Sequence, residues 1–511
     1  MSLADYEMTI GIECHVQLAT KTKLFSEVDN DARGKAPNSC ISPVDYALPG
    51  MLPRLNQEAV RLAVVAGHAL QAEVNLVSRF DRKHYYYPDL PKGYQISQLY
   101  QPIIGAGHVI LPDGTTVRIE HAHLEEDAGK LSHTNNYSLV DLNRAGTPLI
   151  EIVSMPDIHS ARHAHDYCKE LWRLMTHAKV CLGDLYHGNM RFDINISLAK
   201  PGAAELGTRA EIKNLNSFRS IERAVEYEYQ RQAKLLDAGE RVVQETRGWS
   251  DATGKTTSQR SKEEAQDYRY MPEPDLPPLR LDPVFIAQQK EALPLLTHDY
   301  RTAFDQIIPS DTLEILLDYP RLIQKLFEVL VSFDNGPSSD GVELGRLHGA
   351  AALTLASKLR ASSKTVLTET CQKLANLFTS VLLAEENSSL LNDDLPSAQQ
   401  LRELVAMNTK KELSSTATKE VFLKFFDPEM HFKDTKTIAK ELGVIQENNL
   451  DALGSIVDQV LADPATQRAQ ADYVSGQAKA LGFLVGQVMK LSKGKANPSS
   501  VQQILQQKLS Q

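Results

Sequence analysis

Residues Gly11–Leu18, with the sequence GIECHVQL, show most directly how the first third of this chain folds. Polar and apolar side chains alternate through the stretch, which is the pattern of a β-strand with one buried face. The alternation places Glu13, His15 and Gln17 on one face and the apolar side chains on the other. Such a strand is either a solvated edge or one wall of a cleft, and the stretch alone leaves both interpretations open.

Two further stretches repeat the pattern. Residues 120–127 read EHAHLEED. One side of that strand would carry His121, His123, Glu125 and Asp127. The apolar run 149–153 is interrupted by Glu151. Three strands that each present an acid or an imidazole group favour a cleft that binds a hard cation, and oxygen ligands with one nitrogen suit Mg²⁺ or Mn²⁺ better than Zn²⁺.

Length and composition exclude several classes of protein. A chain of 511 residues is too long for one core and should form roughly two to four domains. The net charge of −10 argues against a wholly basic nucleic-acid binder, but it leaves room for a local basic patch. Five cysteines without paired spacing, no apolar signal segment and no run of about 18 apolar residues predict a cytoplasmic protein without disulfides or membrane spans.

The chain changes character near residue 280. Before that point, short apolar runs alternate with Gly, Pro and Asn, as in a strand-rich α+β domain. Helical periodicity interrupts this domain at Asn56–Ala72, Ser160–Thr176 and Ser217–Ala238. The segment Pro272–Pro278 contains four prolines, which excludes a helix and indicates an ordered crossing or a domain exit.

The remainder of the chain has helical patterns. Leu-rich segments are predicted to be helical at Leu313–Phe333, broken at Pro320, and at Ala350–Leu383. A polar connector over 393–414 leads to tail helices at Ala452–Ala462, Ala471–Gly482 and Val501–Leu509. We therefore predict an α+β fold with a strand-rich domain at 1–293, an all-helical domain at 294–410 and a small helical tail domain at 411–511.

Three stretches are candidates for phosphate binding. In Phe80–Gln98, Lys83 and Lys92 accompany four tyrosines that offer stacking faces for a base, although half-buried tyrosines of a strand–loop–strand explain the composition equally well. The stretch Gly188–Ser197, GNMRFDINIS, places Arg191, Asp193, Asn195 and Ser197 on one side of a strand. The last 33 residues contain five lysines and no acid, which indicates either a phosphate-binding surface or a solvated face.

A polar strand that ends at a helix N-terminus is a natural phosphate site. Arg209–Ser217, RAEIKNLNS, has this form: Arg209, Glu211 and Lys213 share one face, and Asn216 and Ser217 offer N-caps to the next helix. The alternative is a half-exposed strand whose charges pair with each other. The chain lacks a Walker-type loop, Gly-x-Ser-x-Gly and His-Glu-x-x-His, which excludes the protein classes that those motifs define.

Taken together, these stretches resemble the B subunit of the tRNA-dependent amidotransferases, the glutamyl-tRNA(Gln)/aspartyl-tRNA(Asn) amidotransferase family. The resemblance covers nearly the whole chain, and Asp267–Leu279, DYRYMPEPDLPPL, is its most specific segment. The other matching segments are Gly11–Leu18, Ala47–Asn56, Phe80–Gln98, Leu124–Lys130, Val140–Asp157, Asn214–Ser217, Gln244–Arg247 and Ala480–Pro498.

The resemblance implies a cytoplasmic heterotrimer and a defined reaction. A glutaminase A subunit would supply ammonia through a tunnel, and a small C subunit would brace the other two. The B subunit would use ATP and Mg²⁺ to phosphorylate the side-chain carboxylate of misacylated Glu-tRNA(Gln) or Asp-tRNA(Asn), and ammonia would then displace phosphate. The family fold implies a cradle-shaped catalytic domain followed by the helical domain and a tail that contacts tRNA.

The resemblance also suggests roles for particular residues. The expected metal ligands are Glu13, His15, Glu125 and Glu151. The expected catalytic residues are Glu125, Glu126 as its alternative, and Asp193, and the strand pleat favours Glu125. The expected contacts to the nucleotide and the acyl-phosphate are Lys83, Arg191, Lys213, Asn214, Asn216 and Ser217. The expected tRNA contacts are Lys479, Lys490, Lys493 and Lys495.

The chain departs from the family in one respect. Many members carry a zinc site built from Cys-x-Cys followed by Cys-x-x-Cys. Here Ser26 and Val28 replace the first pair, and Cys40 alone remains of the second, with Pro43 opposite it. One thiolate cannot hold a structural zinc ion, so we expect no zinc and a loop that is stabilised by packing.

Two other functions remain open at this point. One is a tRNA-binding scaffold with an inactive cleft, against which the intact set of acids and histidines argues. The other is a metal-dependent hydrolase of a small amide, which lacks an obvious nucleophile and leaves the basic tail unexplained. The sequence does not distinguish Glu-tRNA(Gln) from Asp-tRNA(Asn) as the substrate.

Overall fold

A computed structural model describes residues 6–261, 267–333, 354, 364–446, 450–492 and 496–510. The chain divides into two compact units, Met1–Asp299 and Tyr300–Gln511. The first unit contains a large mixed sheet with helices and the second contains helices, which confirms the predicted α+β class. None of the helices within the described residues is long and apolar enough to cross a membrane.

The first unit is organised around an eight-stranded sheet. The strands of the unit are β1 (Glu7–Gln17), β2 (Val77–Ser78), β3 (Asp81–His84), β4 (Tyr94–Ser97), β5 (Gly107–Ile110), β6 (Thr116–Glu126), β7 (Lys130–His133), β8 (Ser138–Asp141), β9 (Pro148–Ser154), β10 (Met190–Ala199), β11 (Ala210–Leu215), β12 (Glu245–Ser250), β13 (Lys255–Ser261), β14 (Met271–Pro272) and β15 (Leu279–Arg280). The large sheet has the order β13-β12-β11-β10-β1-β9-β6-β5, and its strands pair antiparallel except β11 with β12.

The sheet has one apolar and one polar face, as the alternation of GIECHVQL predicts. Along β1, Ile12, Cys14 and Val16 are buried, whereas Glu13 and His15 are half-buried on the opposite face. The buried side chains of β1, β9 and β10 join one hydrophobic core with the helices that pack on that face. This arrangement leaves the polar face of the central strands to form a site.

Three helices of the first unit begin where the sequence predicts. They are α1 (Gln57–Ala69), α2 (Ala161–His177) and α3 (Phe218–Asp237). Their N-caps, Asn56, Ser160 and Ser217, each accept a backbone N–H through the side chain. The helix α4 (Pro283–Glu291) follows the proline-rich segment, whose flanks pair as β14 with β3 and as β15 with β2.

The second unit consists of helices, beginning in α5 (Thr297–Phe304), which spans the boundary between the units. The helices that follow are α6 (Ser310–Leu316), α7 (Pro320–Val331), α8 (Lys364–Leu377), α9 (Ala398–Thr409), α10 (Ser415–Lys424), α11 (Thr435–Glu441), α12 (Leu450–Ala462), α13 (Gln467–Val474), α14 (Lys479–Leu491) and α15 (Pro498–Leu509). The break predicted at Pro320 is confirmed. Most of the predicted helix Ala350–Leu383 before Lys364 lies outside the described residues.

The prediction of one helix over Ala471–Gly482 is wrong, because α13 ends at Val474. Gly476 adopts a φ of +100°, which a continuing helix does not allow. Its N–H donates to the carbonyl of Tyr473, and the N–H of Gln477 donates to the carbonyl of Asp472. These two bonds form a Schellman motif that closes the helix.

The helices around the predicted boundary at 410/411 pack on each other. The hydroxyl of Thr435 donates to the carbonyl of Gln400 at 3.0 Å, and the Gln400 amide donates to the carbonyl of His431 at 2.7 Å. The helices α12, α14 and α15 have a separate core that includes Leu453, Leu484 and Val501. The three-domain division remains a prediction, and this packing favours a tail that starts near α12.

A buried ion pair stabilises the loop over residues 19–56, in addition to the packing that the sequence leads us to expect. Lys23 is fully buried, and its Nζ lies 3.3 Å from Oδ2 of Asp45. The same oxygen accepts hydrogen bonds from the N–H and the hydroxyl of Ser42, both at 2.9 Å. Burial lowers the pKa of Lys23 although Asp45 opposes this shift, so the ammonium depends on its partner.

Asp45→Ala should lower the free energy of unfolding of the first unit by about 3 kcal/mol or more, because it leaves a buried ammonium unpaired. Denaturant unfolding followed by tryptophan fluorescence tests this, since both tryptophans, Trp172 and Trp249, lie in that unit. The double variant Lys23→Met/Asp45→Ala is the control and should recover much of the loss. Equal stability of the wild type and Asp45→Ala would contradict the role of the pair.

Candidate active site

Four side chains of the polar face lie directly opposite one another across four neighbouring strands. The register pairs His123 of β6 with Glu151 of β9, Glu151 with His15 of β1, and His15 with Arg191 of β10. Residues that are opposite in an antiparallel sheet have Cβ atoms about 5 Å apart, so their side chains contact each other. The sheet thus builds a row of alternating imidazole and charged groups.

The first cluster of possible metal ligands lies on this row. Nε2 of His15 lies 3.3 Å from Oε1 of Glu125 and 3.5 Å from Oε2 of Glu151. One ligand atom from each of these three residues lies within 4.8 Å of the other two. Two carboxylates and one imidazole form a donor set that fits Mg²⁺ or Mn²⁺.

The charges in this cluster are strongly coupled. Burial opposes the ionisation of Glu125, but hydrogen bonds from His123 and His15 outweigh it and hold the pKa of Glu125 well below its usual value. Burial and the charge of Glu125 likewise oppose the ionisation of Glu151, yet His123 and His15 lower the pKa of Glu151 to about 2. Both carboxylates are therefore ionised at neutral pH.

His123 is a site residue that the sequence analysis placed on this face but did not include among the functional residues. Its Nε2 lies 3.2 Å from Oε2 of Glu151 and 3.8 Å from Oε2 of Glu125. Burial opposes its charge, but these two carboxylates raise the pKa of His123 to about 9. Its Nδ1 is buried and has no hydrogen-bond partner within the described part of the chain. The sequence could have indicated this role, because His123 lies two residues before Glu125 and residues two apart in a strand share one face.

The structure places Glu13 in a second cluster, with Asp193 and Glu211. One carboxylate oxygen from each of the three lies within 4.8 Å of the other two. Asn195 donates to Oε1 of Glu13 at 3.0 Å, and Nζ of Lys213 lies 2.7 Å from Oδ2 of Asp193. Burial raises the pKa of Glu13, and the charges of neighbouring acids raise it further. A cation here would relieve this repulsion.

A β-bulge shapes the second cluster. The register between β10 and β11 shifts between Phe192 and Ile194, and Asn214 adopts a φ of +65° at that point. An extra residue in one strand bends it and redirects its side chains. Glu211 lies on β11, which pairs with β10 and so brings it beside Asp193. The sequence analysis did not identify Glu211 as a possible metal ligand, because a sequence does not show which strands are neighbours.

A cavity of about 420 Å³ is lined by His15 and Glu125 of the first cluster and by Asp193 of the second. Its lining includes three cations, Lys83, Arg191 and Lys213, and also Asn214 and Asn216. These are five of the six residues expected to contact the nucleotide and the acyl-phosphate. The sixth, Ser217, is absent from the described lining and instead caps α3, where its hydroxyl accepts the N–H of Ser220 at 3.0 Å.

Each cation of the cavity is held in place by a neighbour. Arg191 donates from Nη2 to Oδ2 of Asp127 at 2.9 Å. Nζ of Lys83 lies 5.1 Å from the ring centroid of Tyr268, a cation–π contact. Burial disfavours the charged form of Lys83, but Glu125 and other negative groups raise its pKa. The cavity therefore presents three fixed cations beside the carboxylates of Glu125, Asp127 and Asp193.

The structure places Glu126 away from this cavity. The carboxylate of Glu126 pairs with Lys92 and accepts the N–H of Ile96 at 3.0 Å. It is buried on the side of β6 opposite to Glu125. The position of Glu126 favours Glu125 as the ligand of a cation. Lys92 forms a buried ion pair with Glu126.

Comparison with known proteins gives the family. The model of the GatB/GatE catalytic domain matches residues 8–287, and the model of the GatB domain matches residues 362–509. The B subunit of the aspartyl/glutamyl-tRNA(Asn/Gln) amidotransferase of Thioalkalivibrio sulfidiphilus is 40% identical over 99% of this chain and 100% of its own length. The chain belongs to this family. Family members from Halorhodospira halophila and Caulobacter vibrioides are 41% and 42% identical, over 99% of this chain and 99% and 97% of their own lengths.

The expected tRNA contacts of this family member lie in the tail. Lys479 begins α14 and Lys490 lies in its last turn, and both side chains are exposed. Lys493 and Lys495 lie outside the described residues.

Cys40, expected not to hold zinc, is buried and belongs to neither possible metal cluster within the described residues.

The affinity of the first cluster for a divalent cation should rise with pH. Burial opposes the charged form of His15, but Glu125 and Glu151 outweigh it and raise the pKa of His15. A cation must displace this proton, so affinity for Mn²⁺ should increase by about tenfold per pH unit below the raised pKa.

Electron paramagnetic resonance titrations with Mn²⁺ over a series of pH values measure this slope. His15→Gln should remove most of the pH dependence, and His133→Gln, which alters an exposed histidine of β7, should leave it unchanged. A pH-independent affinity in the wild type would contradict the assignment of His15 as a ligand.

Proposed function

We propose that this chain is the B subunit of a tRNA-dependent amidotransferase and that the polar sheet face is its activation site. There the side-chain carboxylate of Glu or Asp, attached to tRNA(Gln) or tRNA(Asn), receives the γ-phosphoryl group of ATP. Ammonia then displaces phosphate to form the amide. The observation that carries this proposal is one cavity that is lined by three fixed cations and by members of both clusters, namely His15 and Glu125 of the first and Asp193 of the second.

The charge arrangement suits this reaction because both reactants are anions. A carboxylate and a triphosphate repel each other, and phosphoryl transfer depends mainly on positioning and on neutralisation of charge. Lys83, Arg191 and Lys213 line the cavity and supply three positive charges. Their ion pairs and the cation–π contact fix these groups before substrate binds, which limits the reorganisation needed during the reaction.

Mg²⁺ would be held by His15, Glu125 and Glu151, and a second ion by Glu13, Asp193 and Glu211. When bound, such ions neutralise developing charge on phosphoryl oxygens. The protonated ring of His123 would keep Glu125 and Glu151 oriented, and Lys213 would do the same for Asp193. A scaffold without catalysis gives no reason for two such clusters of possible metal ligands.

The partners follow from the same proposal. Such a chain requires a glutaminase A subunit that supplies ammonia and a small C subunit that stabilises the assembly. The aminoacyl end of tRNA would enter the cavity over the sheet, while Lys479, Lys490, Lys493 and Lys495 would contact the tRNA backbone. The site would operate in the cytoplasm, where misacylated tRNA is formed.

Glu125→Gln should abolish formation of Gln-tRNA or Asn-tRNA even when free ammonia replaces glutamine, because activation precedes amidation. The loss of an anionic ligand should lower the rate by roughly 100-fold or more. The measurement is transfer from ammonium chloride by the assembled complex. Glu7→Gln, an exposed acid at the start of β1, is the matched control. Near-normal transfer in folded Glu125→Gln would remove this residue from the site.

Lys479→Ala and Lys490→Ala should weaken tRNA binding similarly for cognate and noncognate tRNA. Each lost phosphate contact should reduce the slope of log affinity against log salt by about 0.7 to 0.9. Filter binding at several salt concentrations measures this slope, and saturating tRNA should restore turnover. Lys508→Ala is the control, since Lys508 is paired with Asp458. Unchanged slopes in both variants would show that these lysines are only solvated.

A further inference from the structure

A cavity of about 670 Å³ lies within the second unit, between the turn that joins α9 to α10 and the start of α15. Its lining includes the first residues of α10, Ser415 to Ala417, and the first residues of α15, Pro498 and Ser499. The amino ends of two helices therefore line one cavity. A helix amino end carries partial positive charge and unpaired N–H groups, and both favour an anion.

The first turn of α10 offers backbone donors to this cavity. The hydroxyl of the N-cap, Ser414, accepts the N–H of Ala417 at 3.1 Å. The N–H groups of Ser415 and Thr416 have no acceptor within the described part of the chain. Both residues are exposed and line the cavity, so these two N–H groups are available to an oxygen of a ligand.

A lysine places a full positive charge beside the two helix ends. Lys411 follows α9, and its Nζ lies 3.0 Å from Oγ of Ser499 at the start of α15. This contact holds the ammonium at the amino end of that helix, where it adds to the partial charge of the helix. The charged residues of the described lining are Lys411 and Glu420.

A buried amide without a partner is the observation that points to a ligand. Gln446 lines the cavity and is only 8% exposed. Its backbone N–H donates to the carbonyl of Glu412 at 2.8 Å, whereas its side-chain amide has no hydrogen-bond partner among the described residues. Buried polar side chains are nearly always paired, so this amide indicates that the cavity receives a polar group.

We propose that this cavity binds a single phosphate group, either as inorganic phosphate or as the end of a small phosphate monoester. A phosphate presents oxygens in several directions, and the donors also come from several. They are the N–H groups of Ser415 and Thr416, the ammonium of Lys411 and the side-chain amide of Gln446. Hydrogen bonds to an ionised acceptor are the stronger ones in proteins. The site shares no lining residue with the sheet cavity, so it is independent of the function proposed above.

The lining favours one phosphate group over other anions. The backbone of a nucleic acid requires several cations along its path, whereas this lining contains one lysine and one acid. A carboxylate has two oxygens in one plane, so it would leave more of the donors unused. A small ligand with one tetrahedral phosphate matches both the number of charges and the directions of the donors.

A phosphate bound here would link two parts of the second unit. The helix α10 packs against α9 and α11, whereas α15 shares a core with α12 and α14. Oxygens that accept from Ser415 and Thr416 on one side and from Lys411 beside Ser499 on the other would join these parts. The ligand should therefore slow the exchange of amide hydrogens at the start of α10.

Hydrogen–deuterium exchange of the full-length chain tests the site at its own position. Exchange of the peptide that covers residues 412–420 is compared in sodium phosphate and in sodium chloride of equal ionic strength. The amides of Ser415 and Thr416 should exchange about tenfold more slowly at saturating phosphate, because a bonded N–H exchanges only when its bond opens. The dissociation constant is taken from the dependence of this protection on phosphate concentration.

Two variants each remove one of the proposed contacts. Lys411→Gln and Gln446→Met should each raise the dissociation constant by about tenfold, since hydrogen bonds to charged groups are worth more than neutral ones. Lys419→Gln is the matched control, because Lys419 is an exposed residue of α10 outside the described lining. Its dissociation constant should stay within about twofold of the wild type. If Gln446→Met does not fold, Lys411→Gln decides, because Lys411 is exposed.

A parallel titration with β-glycerophosphate distinguishes the two sources of the phosphate group. Tighter binding of the ester than of inorganic phosphate supports the proposal and assigns the site to a monoester. Equal or weaker binding of the ester, with protection by inorganic phosphate, supports it and assigns the site to the free ion.

Four results would overturn the proposal. The first is that neither phosphate compound protects the start of α10. The second is that sodium chloride protects it equally, which would show an effect of ionic strength alone. The third is that Lys411→Gln and Gln446→Met bind phosphate like the wild type. The fourth is that protection appears only when tRNA is added, which would assign the cavity to the tRNA backbone.

Discussion

The hydrogen-bonded register of β6, β9, β1 and β10 is the constraint on which the candidate site depends. His123, Glu151, His15 and Arg191 come from strands far apart in sequence, and only the pairing of those strands brings them into one row. The core holds this register, because a slip by one residue would turn the buried side chains of every strand toward water. The chemistry of the polar face is thus fixed by packing on the opposite face.

Sequence periodicity predicted what each strand would present, but not which strands would be neighbours. The faces of GIECHVQL and the starts of α1, α2 and α3 follow from local rules, and the structure agrees with them. The separation of Glu13 from His15 into different clusters depends on the partners supplied by β9 and β10. Long-range pairing of this kind leaves no local trace in a single sequence.

The features that were not predicted are mostly irregularities of backbone geometry. The bulges at Glu120 and Asn214 redirect side chains without any Gly or Pro to mark them, and Gly476 ends a helix inside an otherwise periodic stretch. The polar strands were weighed as either phosphate sites or self-paired charges. The pairing of charges is observed between Lys213 and Asp193. The phosphate site stays a prediction, and Lys213 also lines the cavity where it would lie.

The loop over residues 19–56 has a consequence for how the protein responds to its chemical surroundings. The contacts described for this loop come from amides, hydroxyls, one carboxylate and one ammonium, and Cys40 takes part through its backbone N–H, which donates to Oδ1 of Asn143. None of these contacts depends on the oxidation state of a thiol. A change in redox conditions would therefore leave these particular contacts of the loop in place.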